Sequence, residues 1–331
     1  MFENISIVGD GAMGTVLAIL LCEKKKRVRM WGYDAEQLSQ IQSEGENKKF
    51  LPGYKLPGSL LFECKDEQIM ADADLIVSAV PCQFMRGIWK RLKDYVPEDI
   101  PIVSVAKGIE NDTLLRPTQI LSDVLGKEVS SIALSGPTIA DELARRLPAT
   151  ACAACRNEKL AKKIQKTFSI SWLRIYTNTD IIGVELAGAV KNIIAIAAGI
   201  IDGIGAGDNA KAALLSRGLA EITRLGVACG AKPQTFAGLT GLGDLVTTCI
   251  SPKGRNRSFG ERIGKGQTVE EAQRATESVI EGVATCQSVI ELTRRLKVEM
   301  PITQAVFKVL FENKPVQKAI ADLMKRQLKA E

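Results

Sequence analysis

A short apolar run, Ile5 to Val8, is followed at once by Gly9, Asp10, Gly11, Ala12, Met13 and Gly14, and then by a helical pattern from Ala12 to Glu23. This strand–GxGxxG–helix order constrains the fold more than any other feature of the chain. The first glycine permits a tight turn, the second lets backbone approach a pyrophosphate, and the third lets the helix pack closely on a sheet. The helix start offers unpaired N–H groups and a positive dipole end to phosphates. A GxGxxG alone is weak evidence, because a glycine-rich turn can join a strand to a helix with no ligand. Its context decides here in favour of dinucleotide binding through Gly9, Gly11 and Gly14.

That context is a βα alternation through the first half. Strands are predicted at Ile5–Val8, Arg27–Trp31, Leu75–Val80, Ile102–Val105, Ile132–Leu134, Thr150–Cys155 and Leu173–Tyr176. Several are apolar throughout, as strands are when helices cover both faces of a parallel sheet. The segment 47–59 contains Pro52-Gly53 and Pro57-Gly58 and reads as a long loop. Beyond about Asp180 strand-like runs stop and helical periodicity continues. The expected architecture is α/β: a Rossmann-like doubly wound sheet over 1–180, then an all-helical domain over 181–331, with the boundary near Thr179–Ile182.

Composition narrows the chemistry. The chain has no histidine, which excludes Ser-His-Asp and Cys-His machinery and argues against a zinc site. Proton transfer must use Lys, Asp, Glu, Tyr or Cys. The eight cysteines are scattered, and Cys152-Ala153-Ala154-Cys155 lies in a strand-like stretch with no partner pair, so no metal is expected. Reduced cysteines suit a cytoplasmic protein. The net charge of +6 is dispersed, and aromatic residues make up 5%. That disfavours nucleic-acid binding and fits a small anionic substrate. The start of the chain shows no basic leader. The most apolar segment, 181–204, is interrupted by Glu185, Lys191 and Asp202 and reads as a buried helix rather than a membrane span.

Three segments carry candidate chemistry. The second strand ends at Trp31 and is followed by Gly32, Tyr33 and Asp34. An acid at Gly32 would bind the ribose 2′-hydroxyl of NAD; its absence leans toward NADPH or dual use, with Asp34 read as a helix N-cap. Lys191 and Asn192 sit in a helix that is apolar on nearly every side. Such a lysine is either a structural residue that extends its ammonium to water or a tuned acid/base, and the amide of Asn192 tilts the choice toward chemistry. The stretch from Gly241 through Asp244 and Thr248 leads into Arg255, Asn256 and Arg257. It offers fork donors, an amide and a hydroxyl to an anion, or it is a solvated basic loop.

Taken together, these segments resemble the bacterial-type NAD(P)-dependent glycerol-3-phosphate dehydrogenases over nearly the whole chain. The likeness is carried by the GxGxxG, Val105 to Glu110, Gly136-Pro137-Thr138, Gly183 to Asn192, Gly243 to Cys249, Arg255-Asn256-Arg257 and Val279 to Val283. The resemblance implies a helical domain of the 6-phosphogluconate dehydrogenase type and a homodimer. It also implies reversible reduction of dihydroxyacetone phosphate to sn-glycerol 3-phosphate for phospholipid synthesis. By this resemblance Lys191 falls on the catalytic lysine. Lys107, Gly136, Thr138, Asp244, Gly254, Arg255 and Asn256 fall on substrate positions. Ala12, Met13, Gly32, Tyr33, Lys107, Ala140, Arg255, Val279 and Glu281 fall on cofactor positions. Asp244 would hold and tune Lys191, and Thr248 would join Arg255 and Asn256 in anchoring phosphate.

The chain departs from the family at three places. Ala12-Met13 replaces Ser-Trp in the turn, Gly254 replaces a serine of the basic loop, and Gly32 replaces a common basic residue. The rival readings are a lysine-using dehydrogenase for a hydroxy acid or ketopantoate, a nucleotide sensor without turnover, and a nucleic-acid-binding protein.

Overall fold

In a computed structural model, described over residues 2–126, 129–276 and 279–328, the chain divides into two compact units. The first is Met1–Lys107 with Leu115–Glu185; the second is Gly108–Leu114 with Leu186–Glu331. Met1 and residues 329–331, which fall within the expected domain ranges, lie outside the described residues.

In the first unit, β1 (Asn4–Val8), α1 (Ala12–Glu23), β2 (Arg27–Trp31), α2 (Ala35–Glu44), β3 (Leu61–Phe62), α3 (Asp66–Met70), β4 (Leu75–Ser78) and α4 (Cys82–Leu92) follow in order. They are succeeded by β5 (Ile102–Ser104), α5 (Pro117–Leu125), β6 (Ser131–Ser135), α6 (Ala140–Ala144), β7 (Ala149–Ala154), α7 (Glu158–Phe168) and β8 (Leu173–Asn178). The eight strands form one sheet in the order β3-β2-β1-β4-β5-β6-β7-β8. Every neighbouring pair is parallel except β6 with β7. This is the expected doubly wound sheet. Its apolar strands are buried on both sides: one cluster gathers Ile5, Ile7, Val16, Leu20 and Phe168, and the other Val8, Ile76, Met85, Trp89 and Ile120. The two-residue β3 was not predicted. It has one partner, β2, and too few residues to show a period.

The predicted loop at 47–59 carries one isolated antiparallel bridge, Glu46 with Lys55. Its first residue is its anchor. Asn47, 0% exposed, donates from Nδ2 to the carbonyl of Asp10 (2.7 Å) and to Thr15 Oγ1 (2.8 Å). The loop therefore braces the glycine-rich turn. Cys152 and Cys155 lie buried in and just after β7, and burial pushes the Cys152 thiol up to about 11.

The rest of the chain is helical among the described residues: α8 (Ile181–Gly203), α9 (Asp208–Ala228), α10 (Pro233–Phe236), α11 (Asp244–Ile250), α12 (Arg255–Gly264), α13 (Val269–Arg274), α14 (Glu281–Leu296), α15 (Pro301–Phe311) and α16 (Val316–Met324). Helix α8 has the length and apolar composition of a membrane span, but 89% of its most apolar window is buried inside the protein. It is a core helix, as its sequence suggested. Close helix approach needs small residues, and α8 and α12 each supply a pair four apart. A Cβ on Gly199 would enter the Arg257 carbonyl, and one on Gly260 would enter the Ile196 carbonyl. Gly203 and Gly264 close the same seam, each Cβ falling on the opposite backbone.

A buried acid ties α9 to α15. Glu221, 3% exposed, accepts from the backbone N–H groups of Ile302 (2.6 Å) and Thr303 (3.1 Å) and from Thr303 Oγ1 (3.1 Å). These are donors that the first turn of α15 cannot satisfy internally. Burial outweighs these bonds and pushes the carboxyl up to about 7.

Two stability predictions follow from these contacts. Gly260→Ala should cost about 1–3 kcal/mol, the usual penalty for overpacking a close contact, read as a lower urea midpoint. Glu221 has a folded pKa above its unfolded value, so its contribution is fully present below the ordinary carboxylate range and is lost as pH rises through about 7. Relative to Glu221→Gln, the wild-type midpoint should fall between about pH 5 and about pH 8.

Candidate active site

The glycine-rich turn of the first unit sits at the point where the sheet order reverses, between β1 and β4. Ligands of open α/β sheets bind at such a crevice. Gly9 has φ +114° and its Cβ would stand 2.7 Å from the Ala79 carbonyl oxygen at the end of β4. Gly14 would strike the carbonyl of Gly9. Gly11 has open space where a side chain would stand, with nothing within 4 Å. It is the N-cap of α1 and no side chain caps it, so the first-turn N–H groups around Ala12 and Met13 are left for an anion. These residues fit a dinucleotide pyrophosphate.

Gly32 and Tyr33 lie just past β2. Tyr33 is 71% exposed, and Asp34 caps α2, accepting from the N–H groups of Glu36 (3.0 Å) and Gln37 (3.2 Å). That is the role expected for Asp34. The Asp10 carboxylate stands against Gly32: its Oδ2 lies 3.0 Å from the ideal Cβ position, a tight contact. The sequence reading passed over Asp10 because it is an interior position of the GxGxxG. It also passed over Arg91 of α4, whose guanidinium stacks over Trp31 (5.1 Å) and nears the Tyr33 ring (5.8 Å). Arg91 is engaged twice by Asp66, Nε to Oδ2 at 2.6 Å and NH2 to Oδ1 at 2.8 Å.

Further along the sheet, Lys107 donates from Nζ to the Gly136 carbonyl at 2.9 Å, and Thr138 Oγ1 donates to the same oxygen at 3.1 Å. Gly136 has φ +146°, and its Cβ would stand 2.9 Å from Ala151 Cα. Lys107, Gly136 and Thr138 thus form one cluster after β5 and β6. Ala140 opens α6 two residues later.

The second unit gathers the other group. Lys191 is 6% exposed, and its Nζ lies 3.0 Å from Asp244 Oδ1, itself on a residue 2% exposed. Asp244 is the first residue of α11 and follows a π-type turn, Leu239–Gly243. Gly241 makes that turn possible, since its Cβ would enter the Phe236 carbonyl. Thr248 lies one turn beyond Asp244 in α11, on the same face. One residue past Lys191, Asn192 Oδ1 accepts from Asn256 Nδ2 (3.0 Å), and Asn256 Oδ1 accepts from the Gly282 N–H (3.0 Å). The Asn256 amide thus joins α8, α12 and α14 through one of its two N–H groups and its oxygen.

Gly254 is the N-cap of α12 without a side-chain cap. Arg255 follows, its NH1 donating to the Val279 carbonyl at 3.3 Å. Glu281 lies within electrostatic reach of the Arg255 guanidinium. The structure so sets Lys191 and Asn192, from the middle of α8, beside Asp244 and Asn256 at the starts of α11 and α12, with Arg255 next to Asn256 and Val279 and Glu281 beside Arg255. The basic segment is not a solvated loop, because Arg255, Asn256 and Arg257 form the first turn of α12. Arg257, which the sequence reading set among the basic residues only, pairs with Asp202 (2.6 Å), and Asp202 also pairs with Lys211. A buried lysine held by a carboxylate can give a proton to an adjacent oxygen as the ammonium and take one back as the neutral amine. A helix start led by an arginine can hold a dianionic group.

Two family models cover the chain. The model described as NAD-dependent glycerol-3-phosphate dehydrogenase N-terminus matches residues 4–161, and the corresponding C-terminus model matches residues 180–321. The chain is 47% identical over 330 residues to a glycerol-3-phosphate dehydrogenase [NAD(P)+] of Chlorobium phaeobacteroides (strain BS1), covering 99% of each. It is 44% identical to that of Geobacter sp. (strain M21), covering 100% of this chain and 99% of the relative. The crystal structure of glycerol-3-phosphate dehydrogenase from Coxiella burnetii superposes with a TM-score of 0.94 at 37% identity, covering 98% of this chain and 99% of that one. With the turn, the buried lysine–aspartate pair and the arginine-led helix already in place, these likenesses extend over both units. The chain belongs to the NAD-dependent glycerol-3-phosphate dehydrogenase family.

Proposed function

We propose that the protein interconverts dihydroxyacetone phosphate and sn-glycerol 3-phosphate with NAD(P)H, with residues 1–180 holding the dinucleotide and residues 181–331 supplying the acid/base and the phosphate anchor. The observation that carries this reading is the Lys191–Asp244 pair, buried in a chain without histidine. When bound, the nicotinamide supplies the hydride. As the new C–H bond forms, negative charge grows on the carbonyl oxygen. The Lys191 ammonium stabilises that charge and transfers a proton from Nζ to the oxygen. Asp244 keeps Lys191 oriented and remains the counter-charge. In the opposite direction neutral Lys191 accepts the alcohol proton.

The substrate phosphate is held by the Arg255 fork and by the free N–H groups at the start of α12. Asn256 contributes there through its backbone N–H and through the amide N–H that its bond to Asn192 leaves over. Thr248 adds a hydroxyl. Lys107, Gly136 and Thr138 complete the substrate contacts; Tyr33, Ala140, Val279 and Glu281 complete those to the cofactor. Gly32 carries no acid, and taken alone it leans toward NADPH. The product suits phospholipid synthesis, and we place the protein in the cytoplasm as a homodimer.

The deciding experiment is oxidation of NADH and NADPH with dihydroxyacetone phosphate set against ketopantoate and short 2-keto acids. Turnover confined to the keto acids would overturn the substrate assignment. Lys191→Met keeps much of the apolar packing and removes the ammonium. Its kcat should fall by about 10²–10⁴, with cofactor affinity retained. The variant strands the buried Asp244 carboxylate and should lose stability whatever the lysine does, so kcat of the folded protein decides, and near-normal turnover would remove Lys191 from the chemistry.

Arg255→Lys keeps the charge and loses the planar fork. The KM for dihydroxyacetone phosphate should rise about tenfold, equivalent to about 1.4 kcal/mol. An unchanged KM in initial-rate assays would remove Arg255 from phosphate binding.

A further inference from the structure

An acid at the end of β2 is the usual device by which a Rossmann-type fold reads the ribose 2′-hydroxyl of NAD and turns away a 2′-phosphate. Here that position is Gly32. The carboxylate has not left the region. Asp10, from the glycine-rich turn, places Cγ and Oδ2 each 3.0 Å from where the Gly32 Cβ would stand. A Cβ at position 32 would require the Asp10 carboxylate to give by a few tenths of an ångström. The two positions are thus one site, with a glycine on the strand and an acid on the turn.

The carboxylate is held in place from α2 and from the long loop. Gln37 Nε2 donates to Asp10 Oδ2 at 2.7 Å, and Lys49 Nζ donates to Gln37 Oε1 at 2.8 Å. The Asp10 carbonyl accepts from the buried Asn47. A glutamine donor leaves the carboxylate its charge and its remaining lone pairs, so it can accept from a hydroxyl.

The surrounding charges do not favour a phosphate. Asp34 and Asp66 stand near the same strand end. The Arg91 guanidinium there is neutralised by the two bonds to Asp66, and Lys49 is turned to Gln37. The charges that act on the Asp10 carboxylate are those of Asp34 and Lys49. A 2′-phosphate brought here meets the Asp10 charge directly, whereas a 2′-hydroxyl can donate to it.

We propose that Asp10, reaching across from the glycine-rich turn, supplies the ribose-reading acid that Gly32 lacks and selects NAD(H) over NADP(H). This reverses the lean that Gly32 alone gives, and it rests on the reading that the first unit binds a nicotinamide dinucleotide. It makes Asp10 a specificity-determining residue for the cofactor with no part in proton transfer.

The test is equilibrium binding of NADH and NADPH by the whole protein, measured by calorimetry or fluorescence on the wild type, Asp10→Asn and Asp10→Ala. The wild type should bind NADH at least about tenfold more tightly than NADPH. Asp10→Asn keeps the shape and removes the charge, and should narrow that ratio by about tenfold, mainly through tighter NADPH binding. Asp10→Ala should also narrow it, with NADH binding weakened. If Asp10 only braces the turn, both affinities fall together and the ratio stays, which overturns the proposal. A wild type that binds NADPH more tightly overturns it without any variant. Failure of the dinucleotide reading itself looks different, as neither cofactor then binds the wild type.

Discussion

The second unit is organised around a charge taken out of water. An isolated ammonium in an apolar interior costs several kcal/mol, and breaking a buried pair by removing one partner is among the more damaging changes a protein can suffer. Lys191 emerges from a helix whose neighbours Val190, Ile193 and Ile194 are fully buried, so the partner has to be brought to it. The π-type turn and Gly241 set the start of α11 so that Asp244 points at Nζ. Asn192 and Asn256 then satisfy one another alongside. These polar groups depend on one another for partners, and the helices that carry them have little freedom to rearrange without stranding one of them.

The same logic recurs away from the site. Glu185 accepts from the Thr118 N–H (2.8 Å) and Thr118 Oγ1 (2.8 Å), and pairs with Arg116, at the start of α5. Glu221 does the same for α15. Both helices begin with a proline followed closely by a threonine, and both receive their missing acceptor from a buried glutamate on a long helix. Each pairing couples the entry of one helix to the body of another. A carboxylate serves better than a hydroxyl cap here because it can take several donors at once.

Much of this was legible in the chain. Continuous apolar strands, the GxGxxG and the Lys191 helix announced themselves through local pattern, and α1 and β2 begin and end where their sequences indicate. The family likeness supplied positions such as Lys107 and Thr138 that no local pattern marks. What escaped was non-local. Glu221 and Thr303 are 82 residues apart, and nothing near either one signals the other. Asp10 looked like an incidental residue of the turn until the end of β2 folded against it. Asn256 read as an anion ligand, and its bonds to Asn192 and Gly282, both far away in sequence, were not marked by any local pattern. Segment 108–114 clusters with the helical unit although it follows β5 in sequence, because pattern tells which face of an element is apolar and not which neighbour will cover it.

The glycine seam between α8 and α12 has a consequence for what the site can accept. Where two helices meet through side chains, rotamers can take up small displacements. Where they meet backbone to backbone there is nothing to take them up, and the next comfortable register is four residues, about 6 Å, away. Lys191 lies on one of these helices and Arg255 on the other. On the roles proposed for Lys191 and Arg255, the span between them is therefore a fixed gauge rather than an adjustable grip. It would measure the number of carbons between carbonyl and phosphate, so a longer or shorter chain bearing the same two groups would engage one end and miss the other.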